Sequence, residues 1–271
     1  GIIERGEKLD GVVIKNYVFD KDSGREKDDM LVWMEEQLPQ LDIRPGTRNH
    51  YKTMLMRLRE FGKMTSWSQL SVEMILDWDA WLHELDKPRT EDQVKAGVKA
   101  EKISRATVYN YHKCLKSLLN RALLMDKIDR SPYDKLKGKF GRGDNEVTEY
   151  LTEEEMKAVK SLHPVVGSMM AKARDLFVFQ METGLSYGDT QVFDFSEYKN
   201  IDGHFVNIGE RVKTGVQYVT ELSDECMEIL GRYDMSLPTL CNQDYNRCLR
   251  ALGTAAGIDK RLHSHMARHS F

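Results

Sequence analysis

The sequence predicts a mainly α-helical protein with a small antiparallel β-sheet, an α+β fold divided into two domains. Apolar residues recur every three or four positions in several segments, as in Tyr51, Leu55 and Leu58, which is the period of an amphipathic helix. Short apolar segments between residues 193 and 221 have the length of strands. Residues 137–149 are rich in glycine and charge, which is typical of an interdomain linker.

The elements of the first domain follow from helical periodicity and from capping residues. After a lead-in over residues 1–27, we expect a helical domain over 28–136 whose first helix spans 28–37. A second helix begins around Pro45-Gly46-Thr47 with Thr47 as its cap, and a third lies within 67–85 with Ser71 as a possible cap. Residues 87–102 are polar and form a loop or weak helix. A long helix begins at Thr107, and Ser131-Pro132 halts the segment that follows it.

The second domain spans 150–271. Thr152 and Glu155 have the spacing of a capping box that opens a helix. The pattern then predicts a helix over 169–182, a three-stranded sheet from segments 193–195, 205–208 and 217–221, and helices over 224–233 and 243–256. A last helix begins at His263.

Composition excludes several classes of protein. No apolar run approaches the roughly 20 residues that span a bilayer. The four cysteines form no CxxC pair and no metal-ligand spacing, which indicates free thiols of an intracellular, cytoplasmic protein without a metal or cofactor.

The net charge of −3 conceals a strong asymmetry. Residues 99–142 hold 12 Lys and Arg against 4 Asp and Glu, and residues 43–63 hold 6 against 1. Any single basic run is compatible with an ordinary solvated helix face. Two of them on neighbouring predicted helices favour a surface that binds a polyanion such as DNA.

Three short motifs carry the chemistry. His265-Met-Ala-Arg268-His269 places an imidazole and a guanidinium on one helix face, where both can donate to one anion. Upstream are Thr183-Gly184-Leu185 after an apolar helix, and Lys213-Thr214-Gly215 in a strand–turn–strand pattern. In this order and at these separations, the chain resembles the tyrosine recombinases, or phage-type integrases, from about Asp28 to Phe271.

The resemblance implies an N-terminal core-binding domain, a linker that lets both domains close around a duplex, and a C-terminal catalytic domain. It implies that His265 and Arg268 hold the nonbridging phosphate oxygens and that Lys213 protonates the leaving 5′-oxygen. Asp189 would orient the cationic side chains. The ordinary alternatives are a surface helix pair for His265 and Arg268, an exposed hairpin lysine for Lys213, and a helix cap for Asp189.

The chain departs from the family pattern at two places. Ser186 stands where the pattern Thr-Gly-Leu-Arg has its first arginine, and a hydroxyl replaces a charged fork there only poorly. We expect another arginine to supply the missing positive charge. Arg174 is the first choice and Arg211 the second. For Arg174, a salt bridge with Asp175 or with a surface partner is at least as good an interpretation.

The second departure is that neither Tyr187 nor Tyr245 matches the position of the nucleophilic tyrosine. We expect that tyrosine to lie beyond Phe271, in a segment that was truncated or is not ordered, and this chain alone to bind DNA without cleaving it. Without such a segment, the chain would be a non-catalytic DNA-binding homologue. A helical regulator unrelated to recombinases is the third interpretation.

Candidate DNA contacts are the short polar and cationic side chains that lie off the apolar stripes of two helices. The resemblance further implies the recombinase of a mobile genetic element that self-associates as a tetramer on double-stranded DNA. The candidates are Arg44, Thr47, Arg48, His50 and Lys52 around the second helix, and Arg105, Thr107, Asn110, Lys113 and Lys116 on the long helix.

Overall fold

A computed structural model describes residues 29–143 and 149–271. The predicted lead-in over residues 1–27 lies outside these described ranges. The chain divides into two compact units, Gly1–Asn145 and Glu146–Phe271, a division that falls inside the segment predicted as a linker.

The first unit is helical. Its helices are α1 (Met30–Gln37), α2 (Pro45–Phe61), α3 (Val72–His83), the short α4 (Glu91–Lys95) and α5 (Arg105–Leu124). Side chains at helical spacing, including Met34, Leu58, Trp78 and Leu115, are fully buried and form one core. The amphipathic periodicity therefore placed these helices correctly, to within a few residues at each end.

Local chemistry sets the helix boundaries. Ser71 accepts a hydrogen bond from the Met74 amide (3.1 Å) and caps α3, as predicted. The prediction of Thr47 as the cap of α2 is wrong, because Pro45 already occupies the first helical turn and Arg44 is the capping residue. Proline suits that position, since its missing N–H has no partner there.

A buried histidine joins the last part of this unit to its core. The His112 ring is 3% exposed, and its Nε2 lies 3.0 Å from the Asp79 carboxylate and its Nδ1 2.8 Å from the Tyr133 hydroxyl. Because a carboxylate only accepts, Nε2 carries the proton and Nδ1 accepts from Tyr133. The Phe140 ring stacks on the imidazole, 3.9 Å between centroids and nearly parallel. We call His112, Asp79, Tyr133 and Phe140 the His112 cluster.

The His112 cluster should make stability depend on pH. Burial lowers the pKa of His112 below its ordinary value of 6.5, against the opposing effect of Asp79. Below pH 6.5 the unfolded chain therefore takes up a proton that the native imidazole does not. We expect the free energy of unfolding to fall as the pH drops from 7.5 to 5.5, and His112→Gln to weaken that dependence. Urea unfolding at both pH values measures it, with His50→Gln as the control on an exposed histidine. Equal pH dependence in all three proteins is the contrary result.

The second unit is built around one buried helix. Its elements are α6 (Glu153–Lys160), α7 (Met169–Thr183), α8 (Tyr187–Thr190), β1 (Lys199–Ile201), β2 (His204–Glu210), β3 (Gln217–Leu222), α9 (Asp224–Arg232), α10 (Asn242–Ala255) and α11 (Ser264–His269). Helix α7 is buried on nearly every side between Ala173 and Thr183. The Thr152–Glu155 capping box forms as predicted and opens α6.

The sheet is antiparallel with the order β1-β2-β3. The prediction of a strand over 193–195 is wrong, because the first strand lies at Lys199–Ile201. Phe193 and Phe195 are instead held by aromatic packing, with Phe193 edge-on to Phe179 and Phe195 stacked on Tyr198. The Asp194 side chain accepts from the Ser196 amide (2.8 Å) and starts a 3₁₀ turn there.

Candidate active site

The turn that follows α7 is the centre of the site. Gly184 has a left-handed backbone (φ +61°) and ends the helix, with its N–H bonded to the Gln180 carbonyl at 2.9 Å. A Cβ at this position would also meet the Phe271 ring at 2.6 Å. Only glycine satisfies both requirements.

Two arginines meet at the carbonyl oxygen of Gly184. Arg211 Nη1 donates to it at 3.1 Å and Arg268 Nη1 at 3.0 Å. Arg211 arrives from the end of β2 and Arg268 from α11, so residues far apart in sequence are brought side by side. Two like charges in this position repel each other, and a bound anion would relieve that repulsion.

Asp189 fixes Arg211 and the hairpin. One carboxylate oxygen accepts from Arg211 (2.9 Å) and from the Ser186 amide (3.0 Å), and the other accepts from the Val212 amide (3.0 Å). Burial alone would raise the pKa of Asp189, but these hydrogen bonds outweigh it and leave the pKa below its ordinary value. The carboxylate is therefore charged and holds Arg211 rather than transferring protons.

The hairpin gives Arg211 a second support. Its guanidinium lies 4.3 Å from the centre of the Tyr218 ring, a cation–π contact. Tyr218 is the cross-strand partner of Gly209. A Cβ on Gly209 would lie 2.6 Å from the Tyr218 hydroxyl, so glycine there lets the ring cross the strand and reach Arg211.

Lys213 lies in the turn between β2 and β3. The Arg211 amide donates to the Val216 carbonyl (2.9 Å) and the Gly215 amide to the Arg211 carbonyl (2.8 Å), with Gly215 left-handed at φ +66°. Lys213 is exposed and forms no ion pair among the described residues. This leaves its ammonium group free to meet a ligand.

Two histidines lie beside these cationic residues. His265 and His269 meet edge to face, 4.4 Å between ring centroids. Burial lowers the pKa of His265, and the charges of His269, His263, Arg268 and Lys213 lower it further. Lys213 and Arg268 therefore lie close enough for their charges to act on His265. Asp189 is linked to Arg268 through Arg211 and the Gly184 carbonyl.

The site thus holds more positive than negative charge. Among the described residues, Asp189 is the carboxylate bonded to it, and that charge is matched by Arg211. Arg268, Lys213 and the histidines remain for a ligand. The arrangement has the donors and charge that a phosphate group requires.

Comparison with known proteins agrees with this geometry. Residues 29–140 match the family model of the phage integrase SAM-like domain. The full chain superposes on the lambda integrase tetramer bound to a Holliday junction (TM-score 0.57, 15% identity, 98% of this chain and 76% of that one). The chain has the tyrosine recombinase fold. The fold class predicted from the sequence is therefore confirmed, and the family model confirms the predicted resemblance over residues 29–140.

Two further recombinase structures support the same conclusion. The Tn1549 transposon integrase in complex with a circular intermediate DNA matches with a TM-score of 0.60 at 15% identity, over 90% of this chain and 85% of that one. The XerH site-specific recombinase bound to a palindromic difH substrate matches with a TM-score of 0.59 at 16% identity, over 83% and 67%. No curated protein sequence matches the chain.

The expected position of Arg174 in this recombinase fold is wrong. Arg174 lies ten residues before Gly184, about 15 Å along the helix. Its guanidinium binds Asp175 (2.6 Å) and the carbonyl of Lys160. The alternative interpretation, a salt bridge with Asp175, is therefore the correct one, and Arg211 is the arginine that lies beside Arg268.

Ser186 and the two nearby tyrosines have structural partners. The Ser186 hydroxyl accepts from the Asp189 amide (3.3 Å) and caps α8. Ser186 is thus the N-cap, and Asp189, the alternative cap residue in the sequence, completes the capping box by accepting from the Ser186 amide. The Tyr187 hydroxyl binds the Leu240 carbonyl (2.7 Å), and buried Tyr245 binds Gln180 (2.6 Å). Both hydroxyls are therefore engaged in hydrogen bonds within the second unit.

The predicted DNA contacts of the SAM-like unit differ in exposure. Arg44, Thr47, His50 and Lys52 are exposed around α2. Arg48 is not free in the same way, because its guanidinium donates to the carbonyls of Leu38 (3.1 Å) and Leu41 (3.2 Å). On α5 the exposed candidates are Arg105, Asn110, Lys113 and Lys116, whereas Thr107 is half-buried at the helix start.

Two residues that position Arg211 in this site, Tyr218 and Gly209, were not predicted from the sequence. The sequence signal for them was their placement on either side of the Lys213 turn, because a glycine on one strand leaves room for an aromatic ring on the paired strand.

Within the described residues, no helix is long and apolar enough to cross a membrane. No His, Cys, Asp or Glu cluster there is arranged to hold a metal ion, and all four cysteines are free thiols.

Proposed function

We propose that the chain belongs to a site-specific DNA recombinase, the integrase of a mobile genetic element that acts on double-stranded DNA in the cytoplasm. The meeting of Arg211 and Arg268 on the Gly184 carbonyl, with Lys213 and His265 beside them, is the observation that carries the proposal. Fixed cationic donors in one place are what strand cleavage at a phosphodiester needs, because negative charge grows on the phosphate oxygens in the transition state.

Each residue has a distinct part in the proposed reaction. Arg211, Arg268 and His265 hold the nonbridging oxygens of the scissile phosphate, and Asp189 positions Arg211. A tyrosine that follows Phe271 in the complete protein attacks the phosphorus and forms the 3′-phosphotyrosyl bond. The phosphorus–5′-oxygen bond breaks as that bond forms, and the Lys213 ammonium supplies the proton to the departing oxygen.

Arg211 takes the place of the first arginine in this proposal. The pattern Thr-Gly-Leu-Arg would put a guanidinium at residue 186, directly after the Gly184 turn. Arg211 brings a guanidinium to the same turn from the hairpin, and Asp189, the acidic residue three positions after 186, holds it there. Charge is thereby supplied to the phosphate from a different element of the fold.

The basic faces of α2 and α5 supply the rest of the DNA interface. Their exposed cations position the duplex through its phosphates, and we extend the tetramer of the lambda integrase complex to this chain on DNA. Chain 1–271 on its own should bind DNA without cleaving it, since the proposed nucleophile follows Phe271.

Binding to duplex DNA should depend steeply on salt. Neutralising several phosphates releases counterions, so we expect roughly a thousandfold loss of affinity between 50 and 200 mM salt if about six phosphates are contacted. Fluorescence anisotropy with a labelled duplex of arbitrary sequence measures it. Lys52→Glu on α2 should weaken binding, and Lys157→Glu on α6 of the other unit is the control. Affinity that stays constant with salt contradicts the proposed DNA interface.

A non-catalytic DNA-binding homologue is the second candidate function, and Ser186 is the observation that favours it. A serine at the arginine position is expected in a homologue that no longer activates a phosphate, because a hydroxyl lacks the charge and the paired donors of a guanidinium. The two candidates differ in one assay. The protein carrying the residues that follow Phe271 forms a covalent protein–DNA adduct if it is a recombinase, and only a reversible complex if it is not.

A further inference from the structure

The segment after α5 runs back along that helix. Residues 136–143, which we call the strap, follow the 3₁₀ turn Pro132–Leu136. Phe140 stacks on His112 near the middle of α5, and a Cβ on Gly143 would lie 3.4 Å from the Arg105 Cβ at its start. The strap therefore lies on the helix, although the sequence pattern of residues 137–149 is that of a linker.

A cavity of about 280 Å³ lies between the strap and α5. Lys113 and Lys116 line it from the helix, and Lys137 lines it from the strap. The His112 ring and Phe140 form part of its wall, so the His112 cluster holds the two sides together. The remaining lining residues are Tyr109, Tyr133, Leu136 and Gly138.

The cavity is positively charged without compensation. No carboxylate lines it, and its three lysines form no ion pair within residues 29–143. Asp79 contacts the wall residue His112 from outside the lining, and its carboxylate is already bonded to that ring. Three ammonium groups around one cavity repel each other, and an anion held between them removes that cost.

The surroundings favour a phosphate of a polymer over a small free anion. Arg105, Tyr109, Lys113 and Lys116 are spaced along one face of α5 at intervals of three or four residues. This row is about 16 Å long, which is enough to follow several backbone phosphates, since one strand of duplex DNA carries a charge every 3.4 Å or so along its axis. The cavity is lined by Tyr109, Lys113 and Lys116, three of the four residues of that row.

We propose that Lys113, Lys116 and Lys137 form a seat for one backbone phosphate of a nucleic acid, and that the strap is part of the DNA interface. The inference rests on the proposed function in taking DNA as the polyanion. In this proposal the strap, through Lys137, borders the basic face of α5 on one side. The proposal also gives the His112 cluster a role, which is to pin the strap in place.

Lys137→Ala in the full chain is the test, and Lys139→Ala is its matched control. Both lysines are exposed on the strap two residues apart, but only Lys137 lines the cavity. Losing one phosphate contact should lower the slope of log affinity against log salt by about 1 for Lys137→Ala. The loss should be the same for duplexes of unrelated sequence, because a phosphate contact does not read bases. Equal slopes for the two variants overturn the inference.

Lysine acetylation of the wild-type chain separates this inference from the proposed function. Bound duplex should protect Lys113, Lys116 and Lys137 more than Lys139, as mass spectrometry of the modified peptides would show. Duplex that binds without protecting Lys137 refutes the seat and leaves the DNA-binding function intact. Protection by inorganic phosphate but not by DNA identifies a free-anion site and also refutes it. A chain that binds no duplex at low salt refutes the proposed function and the seat together.

Discussion

In protein that carries the proposed nucleophilic tyrosine, Arg211→Gln should slow strand cleavage by about 10²–10³-fold and change DNA binding little. Removing one donor to developing negative charge in a preorganised site has an effect of this size. Glutamine keeps polar atoms at the position but removes the charge, so Asp189 loses its partner and the phosphate loses a donor. Arg211→Lys keeps the charge without the planar fork, and we expect an intermediate rate.

The decisive variant combines two changes. Ser186→Arg places a guanidinium where the family pattern has it, three residues before Asp189, and in the Arg211→Gln background it should recover part of the lost rate. The rescue should be partial, because the Ser186 hydroxyl also caps α8, and losing a cap costs roughly 1 kcal/mol. Single-turnover cleavage of a nicked duplex at saturating protein gives the rates of the parent protein, Arg211→Gln and the double variant.

Arg174→Gln is the control for this pair. It removes a half-buried guanidinium bound to Asp175 and to the Lys160 carbonyl, so it should lower the melting temperature but leave the cleavage rate of the folded protein unchanged. A cleavage defect in Arg174→Gln as large as that in Arg211→Gln contradicts the assignment of Arg211. The assignment is also contradicted if the double variant folds but cleaves no faster than Arg211→Gln alone.

The contrast between these arginines shows where sequence reasoning reaches its limit. Periodicity and capping residues predict α2, α3, α5 and α7, because these depend on neighbours in the sequence. The sequence favours Arg174, because it precedes Gly184 on the same predicted helix. Which guanidinium meets the Gly184 carbonyl is decided by the hairpin, whose position depends on Asp189 and on the Tyr218 ring crossing Gly209. Such contacts leave no local pattern.

Other parts of the chain illustrate the same division. The apolar pair Phe193 and Phe195 reads as a strand, but in the structure both rings pack on other aromatic residues while β1 forms at the polar segment Lys199–Ile201. Residues 137–149 read as a linker because they hold few apolar residues. Phe140 nevertheless packs this segment on α5 by stacking on His112, a polar residue that is buried through contacts with Asp79 and Tyr133.

Lys213→Ala is expected to slow cleavage by about 10²–10⁴-fold, the range for loss of a general acid. The lysine is exposed in the β2–β3 turn and forms no ion pair among the described residues, so its removal should leave the fold and DNA affinity nearly unchanged. The defect should appear in the single-turnover rate at saturating protein. A large change in the melting temperature would indicate a structural role instead.

A substrate with sulfur in place of the bridging 5′-oxygen identifies the step at which Lys213 acts. A thiolate leaves without a proton, so the substrate bypasses the need for an acid, and Lys213→Ala should then cleave nearly as fast as the parent protein. Arg268→Gln is the matched control. Its guanidinium is proposed to hold the nonbridging oxygens, which the sulfur substitution does not relieve, and its defect should persist. If sulfur fails to rescue Lys213→Ala, or rescues both variants equally, the ammonium group is not the acid, and its contribution to the site is its charge alone.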